Sequence, residues 1–491
     1  AYNFNLTGIQ LFLADGGTNS IQNNTIKNIS WTNTNISNVI GISLGASGTN
    51  TVTNIGTVTG NSIGDNTTTG SITVTSGTTS SSSGFTGISI GTSVLGTTNC
   101  QNNMIGSVTT ANTTATAATN LWAIKRDAAA GTTVISNNVI GSTTVSNSLN
   151  GSSTSTGAAQ TVAGILCDGT GTNTIENNTI ANLTNGITST GYGDYSAYGI
   201  NCGGGGRISN NTIFNVSSGS GSSNKTVMGI AITNNANSSI VAVSGNTISG
   251  ISNSSASYAG YVSGIFQATG TSDTISGNFI HSLSVNGSAT SAGLCGVRFF
   301  GSKPFIKNNI ISLGGNTNSG LYGVMKASSD SARLYYNTIY ISGVPETGSN
   351  KSYCYYSSGT GVQLTNNLLV NARSNGGSAT GKHIALHADV SSYVVGSNND
   401  LYAPNTGGYV GELGSTAYQT LSAWQTARGA YEVNSLNVDP SFTTAGGTAA
   451  TDYKTADTVA LSGTPLAAVT TDYDGSTRDG TTPRMGAYES V

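Results

Sequence analysis

Aliphatic residues recur along this chain at a fixed spacing around a pair of amides. The best copies read Ile175-Glu176-Asn177-Asn178-Thr179-Ile180 and Ile208-Ser209-Asn210-Asn211-Thr212-Ile213. Twelve copies align on the second amide: Asn24, Asn61, Asn103, Asn138, Asn178, Asn211, Asn246, Asn278, Asn309, Asn337, Asn367 and Asn399. Two residues later stands Ile, or Leu at 369 and 401. Three residues earlier stands Ile, Leu or Val, except at Cys100 and Gly396. By this alignment Val58 is one of the inward residues.

The slot before the aligned Asn holds Asn, Gly (60, 245, 277) or Tyr336. Asn and Gly exchange where the backbone takes positive φ, so that slot is a bend. The aligned Asn never becomes Gly, so its side chain is needed. A carboxamide both donates and accepts, and copies spaced about 4.8 Å apart can bond along a column. Between corners lies a second signal, a Gly-aliphatic step: Gly8-Ile9, Gly41-Ile42, Gly87-Ile88, Gly164-Ile165, Gly199-Ile200, Gly229-Ile230, Gly264-Ile265, Gly296-Val297 and Gly323-Val324. Alternation such as Ile42-Ser43-Leu44 marks strands. The pattern predicts an all-β parallel β-helix (β-solenoid) of about 12 coils over residues 1–410, with an Asn ladder. A C-terminal capping region follows at 411–491, with one short helix at Tyr418 to Arg428. The Thr/Ser/Gly-rich segments 64–86, 106–120 and 141–161 read as loops leaving one edge.

The repeat resembles the right-handed β-helix repeats of pectate-lyase-like enzymes, phage tailspikes and large bacterial surface proteins. The series Asn434-Ser435-Leu436-Asn437-Val438-Asp439-Pro440-Ser441-Phe442, Asp472-Tyr473-Asp474-Gly475, Arg478 and Met485-Gly486-Ala487-Tyr488-Glu489 is similar to the ending of β-helix domains in secreted or cell-surface proteins of Bacteroidota-type bacteria. In that group a type IX secretion sorting domain often follows. The resemblance also implies O-glycosylation at Thr274, Ser331 and Thr458, each preceded by Asp.

Composition narrows function. Charged residues make up 8% of the 491 and the net charge is −3, which gives no electrostatic case for nucleic acid. No apolar run approaches the roughly 18 residues of a membrane span. The polar, Lys-poor sequence points to an extracellular or cell-surface protein. The chain reads as beginning at a processed end or inside a longer protein, with its first coil open to stacking. Of five Cys, Cys167 and Cys202 each follow a Gly-Ile step by two residues. They are expected inward, one above the other, as a buried thiol ladder or a disulfide between coils.

Glycosidase or lyase chemistry needs clustered carboxylates, or carboxylates holding Ca²⁺ beside a base. The acidic residues of the first 400 do not fall at equivalent positions in adjacent coils, so no catalytic residues are assigned. His383 and His387 are expected outward on a strand, roughly 13 Å apart, too far to share a metal. Asp472 and Asp474 form a weak Ca²⁺ candidate, with turn capping and a hold on Arg478 as the alternative. No other cofactor is implied. A basic, aromatic zone, Arg298, Lys303, Lys326, Arg333, Tyr335, Tyr340 and Tyr353, is the candidate glycan-binding surface. Tyr rings stack on sugars, and Arg and Lys meet carboxylates or sulfates. Outward Tyr on strands is also what β-propensity alone produces. The expected role is structural or adhesive, as a fibre or surface-appendage subunit. Expected partners are its own copies end to end, other cell-surface components or polysaccharide. A carbohydrate-active enzyme or a glycan-binding module on the same fold is the alternative.

Overall fold

Alternation around each corner folds into short parallel strands. The computed structural model describes residues 4–489 apart from 79–83, 115–116, 154–158, 188–196, 222–225, 234–240, 269–272, 288, 300, 328–330 and 457–458. The chain forms two compact units, Ala1–Val241 with Ser249–Val262, and Ala242–Ile248 with Ser263–Val491. Each is a right-handed parallel β-helix with three sheets.

In the first unit the Gly-Ile strands Phe4–Phe12, Ser37–Ser47, Gly84–Val94, Asn120–Arg126, Val162–Cys167, Ala197–Cys202 and Val227–Ile232 pair in parallel. A second sheet leads into each corner, with Ile21, Ile55, Cys100, Ile135, Ile175 and Ile208 in register. A third leaves it, with Ile26, Ile63, Ile105, Ile140, Ile180 and Ile213 in register. The second unit repeats the plan. Its second sheet carries Ile275, Ile306, Leu334, Leu364 and Gly396 in one inward column.

The two sequence signals have one steric cause. A Cβ on Gly199 would lie 2.5 Å from Ile213 Cγ2 and 2.7 Å from the Gly229 carbonyl oxygen. A Cβ on Gly296 would lie 2.4 Å from Ile311 Cγ2 and 2.6 Å from the Gly323 oxygen. The glycine leaves the space that the corner isoleucine fills.

At the corners, the residue before the aligned Asn has positive φ in every copy except Gly60, from Asn308 at 53° to Gly245 at 66°. The aligned side chains form a ladder. In the first unit Nδ2 of Asn24, Asn61, Asn103, Asn138 and Asn178 donates to Oδ1 of the next rung at 2.9–3.0 Å. In the second, Asn246, Asn278, Asn309, Asn337 and Asn367 do the same, ending on Asn399. The same oxygen also accepts the backbone N–H of the rung before, as Asn178 Oδ1 does from Asn138 N at 3.0 Å. The second Nδ2 proton meets a main-chain carbonyl, Ile135 for Asn178 and Ile275 for Asn309.

Two expectations are corrected here. Val58 is 86% exposed and Ile55 takes the inward place. Three extra residues between Ile55 and Asn61 widen that corner, with positive φ at Gly56. The segments read as loops contain strands of the third sheet, Ile72–Ser76, Val108–Asn112 and Leu149–Gly151. Their inward residues Ile72, Val74, Val108 and Leu149 are fully buried.

The second unit's ladder is closed at Asn399. Asn399 Nδ2 donates to Glu432 Oε2 at 3.2 Å, and its backbone N–H to Ser435 Oγ at 3.0 Å. A Cβ on Gly396 would meet Glu432 Oε1 at 2.0 Å, which explains the missing aliphatic residue there. Strand Gly408–Leu413 is covered by antiparallel Thr416–Tyr418. Helix Leu421–Arg428, capped by Thr420, lays Trp424 over Gly411. The rest of the C-terminal stretch runs back over the outside of the third sheet. Phe442, Tyr453, Ala487 and Tyr488 pack on Phe279, Ile310, Tyr340 and Val370. The Tyr336 exception belongs to this docking: Arg478 lies 3.8 Å over its ring and its hydroxyl donates to the Thr464 carbonyl.

Asn138→Ala should cost on the order of 3 kcal/mol in chemical denaturation, because buried partners on both sides lose their bonds. Asn137→Gly, an exposed bend with φ 57°, should change stability by less than about 0.5 kcal/mol. Equal losses would contradict the division of labour at the corner. On strand Asp400–Tyr402 of the last coil, burial pushes the Asp400 carboxyl up to about 7, with the Val438 amide opposing and Asp439 adding to the rise. A raised folded value contributes stability that is complete below about pH 4 and lost as pH rises through about 7. The urea midpoint read from Trp424 fluorescence should fall from pH 5 to pH 8, and Asp400→Asn should flatten that fall; equal slopes would refute it.

Candidate functional site: a cationic, aromatic sheet face

Burial of Ile306, Leu334 and Leu364 inside the second unit turns their neighbours outward, since side chains alternate along a strand. Phe305, Arg333 and Gln363 therefore share one column, and Lys307, Tyr335 and Thr365 the next, all in register. Rows lie about 4.8 Å apart. Beside them Lys303, Ser331, Arg333 and Gln363 line a shallow groove of about 220 Å³.

Phe305 holds the cluster together. The Arg333 guanidinium sits 4.5 Å from its ring centre and Lys307 Nζ 5.1 Å. Tyr335 meets it edge-on at 5.5 Å and donates its hydroxyl to Gln363 Oε1 at 2.6 Å. Partial burial, and then the Arg333 charge, hold the Lys307 ammonium below the ordinary lysine value. Burial raises the Tyr335 phenol, with Arg333 opposing. Among the described residues no carboxylate lies within ion-pair distance of Lys303, Lys307 or Arg333. The face is rich in donors and carries an aromatic ring, a chemistry that suits an anion.

Lys303, Arg333 and Tyr335 are thus brought together, and the other four candidates are not. Arg298 is half-buried on the first sheet, 5.5 Å from the Phe266 ring. Lys326 points inward, fully buried, in register with Phe299 and Ser357. Tyr340 lies under the C-terminal lobe, against Phe442 and Tyr453. Tyr353 is buried on the first sheet, stacked on Tyr322 at 5.5 Å. The reason is common to all four. A coil changes direction at each corner, so residues close in sequence face different sides. Phe305, Lys307 and Gln363 were missed, although alternation about Ile306 and Leu364 marks them as outward.

A second polar cluster surrounds Glu412. Its carboxylate is buried and accepts from Lys351 Nζ at 2.7 Å and the Tyr353 hydroxyl at 3.2 Å, with His387 Nε2 at 3.7 Å. The expectation of outward histidines is overturned. His387 is buried and stacked 4.6 Å from Tyr356. His383 is fully buried between Ser352 Oγ and Asn375 Oδ1. Burial first, then Arg373, lowers His383 to about 4. Every residue of strand His383–Ala388 is buried, and His383 is in register with Ser352 and, through it, Leu321.

Thr274 is half-buried beside Phe305 in register, and Ser331 is exposed at the groove; Thr458, and the Asp330 before Ser331, lie outside the described residues. Asp472 spends Oδ1 on the Ser476 N–H and Oδ2 on the Glu489 N–H. Asp474 faces Lys454 at 3.4 Å, and Arg478 pairs with Glu489. Both acids therefore act within the lobe as a turn cap and an ion-pair partner. Among the described residues no group of three acidic, His or Cys side chains is placed to hold a metal.

No protein-family model and no curated relative matches the sequence. A solved structure, "The complex structure of XylC with xylose", matches over 83% of this chain and 66% of that chain. The identity is 11% and the TM-score 0.39. This chain spans just under two thirds of that chain's length, and at such similarity nothing about a site carries across.

If Arg333 depresses Lys307 through their proximity, Arg333→Ala should raise the Lys307 pKa toward the ordinary lysine value in an NMR titration of its ε carbon. An unchanged value would separate the two charges.

Proposed function

We propose that this is a secreted or cell-surface structural and adhesive β-helix that holds acidic polysaccharide on the outer face of its second sheet. One observation carries the reading: Lys307 and Arg333 stand over Phe305, with Lys303 lining the groove beside Arg333, and none has a carboxylate partner among the described residues, in a chain where charge is scarce. An Arg fork and two ammonium groups match uronate or sulfate groups, and the Phe305 and Tyr335 rings offer sugar C–H faces a packing surface. Among the described residues lining the groove there is no acid, which favours binding over hydrolysis or elimination. The polar, charge-poor sequence supports the extracellular placement. Self-association end to end is part of the proposal.

Isothermal titration against acidic and neutral polysaccharides tests the binding claim. Acidic chains should bind, neutral ones should not, and affinity should fall as salt screens the cluster. Arg333→Ala should weaken binding about tenfold, the scale of one charge-assisted hydrogen bond at an exposed site. Unchanged binding by a Lys303→Ala/Arg333→Ala double variant would place the glycan elsewhere.

A further inference from the structure

The inward column at the end of the first unit's Gly-Ile sheet runs Leu11, Leu44, Ile90, Arg126, Cys167, Cys202, Ile232 in register. Aliphatic residues fill it except at three consecutive places, where one guanidinium and two thiols stand in adjacent coils. All three are buried, and both cysteines are free thiols in the structure. In-register neighbours on parallel strands lie about 4.8 Å apart, within the roughly 4.4–6.8 Å that a disulfide spans between Cα atoms. Among the other cysteines, Cys100 stands between Ile55 and Ile135, and Cys295 opposite Tyr322.

We propose that Cys167 and Cys202 are a covalent modification site, a disulfide joining two successive coils when the chain folds in oxidising surroundings. The oxidant is a small-molecule or protein disulfide. One cysteine loses its proton and its thiolate attacks a sulfur of that disulfide, releasing one thiolate from it. The second cysteine, deprotonated in turn, attacks the mixed disulfide and releases the other. Two S–H bonds break and one S–S bond forms between the coils. The oxidant takes up two electrons and two protons and leaves as two thiols.

The surroundings set when this happens. In the folded column burial pushes Cys167 well above the ordinary thiol range, with Cys202 next, and pushes Cys202 up to about 11. A sealed pair is therefore a poor nucleophile, and coupling belongs to the stage before the coil closes. Arg126 opposes this rise at both thiols. Among the described residues it has no carboxylate partner and is held by Thr133 Oγ1 at 2.7 Å and the Ala128 and Ala130 carbonyls at 2.8 and 2.9 Å. Its charge is thus left to favour the thiolate as the column assembles. Coupling gives up the weak Cys202 S–H bond to the Gly204 carbonyl at 3.3 Å.

The test refolds the reduced chain in a glutathione redox buffer, then denatures it in acid and titrates thiols. The chain has five Cys, so coupling of two leaves three titratable, and peptide mapping should link Cys167 to Cys202. Cys202→Ser refolded in the same buffer should titrate four thiols, and the oxidised wild-type chain should unfold at higher denaturant than the reduced one. Five thiols in the refolded wild-type chain, or a linkage involving Cys100, Cys295 or Cys354, would overturn the assignment. The readout does not depend on secretion or on glycan binding, so it stands or falls apart from them.

Discussion

A carboxamide oxygen that accepts two hydrogen bonds at each corner is the interaction on which the coils depend. A corner buried inside a parallel β-helix brings a main-chain N–H to a place that no strand partner reaches, and leaving such a group bare costs about 1–3 kcal/mol. Asn fills the gap from the next coil, with Oδ1 taking that N–H and the amide of the previous rung together. The arrangement is self-propagating, because each side chain that accepts also presents Nδ2 to the rung after it. It therefore has to be stopped. At Asn399 it is stopped by groups of different chemistry, a Glu432 carboxylate and a Ser435 hydroxyl, held by a segment that cannot continue the repeat. Burial raises the Glu432 carboxyl, so a protonatable group closes the column where an amide would invite another coil.

Residues that face inward were legible in the sequence because three constraints coincide on them. They must be aliphatic, they must recur once per coil, and they must fit the space left by a glycine. The exceptions that looked like noise were the most informative residues. Gly396 is empty because Glu432 occupies its space, and Tyr336 replaces a bend Asn because Arg478 stacks on it. What stayed hidden lies on surfaces where the periodic rule is silent. Third-sheet strands such as Val108–Asn112 sit in Thr- and Ser-rich sequence that reads as loop, and only one or two inward aliphatic residues betray them. Lys326, Tyr340 and Tyr353 looked like a single patch because sequence proximity was taken for spatial proximity. Each lies on a different face, and the lobe that buries Tyr340 comes from more than a hundred residues further along the chain.

The buried cations follow from the same economy of charge. Arg126 and Arg373 bind main-chain carbonyls and a hydroxyl rather than acids, which satisfies their donors at turns where carbonyls point away from the ladders. Against that background the Lys303, Lys307 and Arg333 cluster differs in kind. Its charges are at or near the surface, Lys307 is lowered by partial burial and then by Arg333, and Phe305 is the platform that Lys307 and Arg333 share. A stiff scaffold keeps such a cluster in fixed rows, so the binding proposed there would need little reorganisation.

Hydrogen exchange of the side-chain amides addresses the ladder most directly. In a natively folded sample, the Nδ2 protons of Asn103, Asn138, Asn309 and Asn337 should exchange as slowly as the amides of the central strands. Those of the exposed bend residue Asn137 should exchange at the rate of a free carboxamide. Rapid exchange at all of these positions alike would mean that the corners are not joined through their side chains, and the account of the fold would fail.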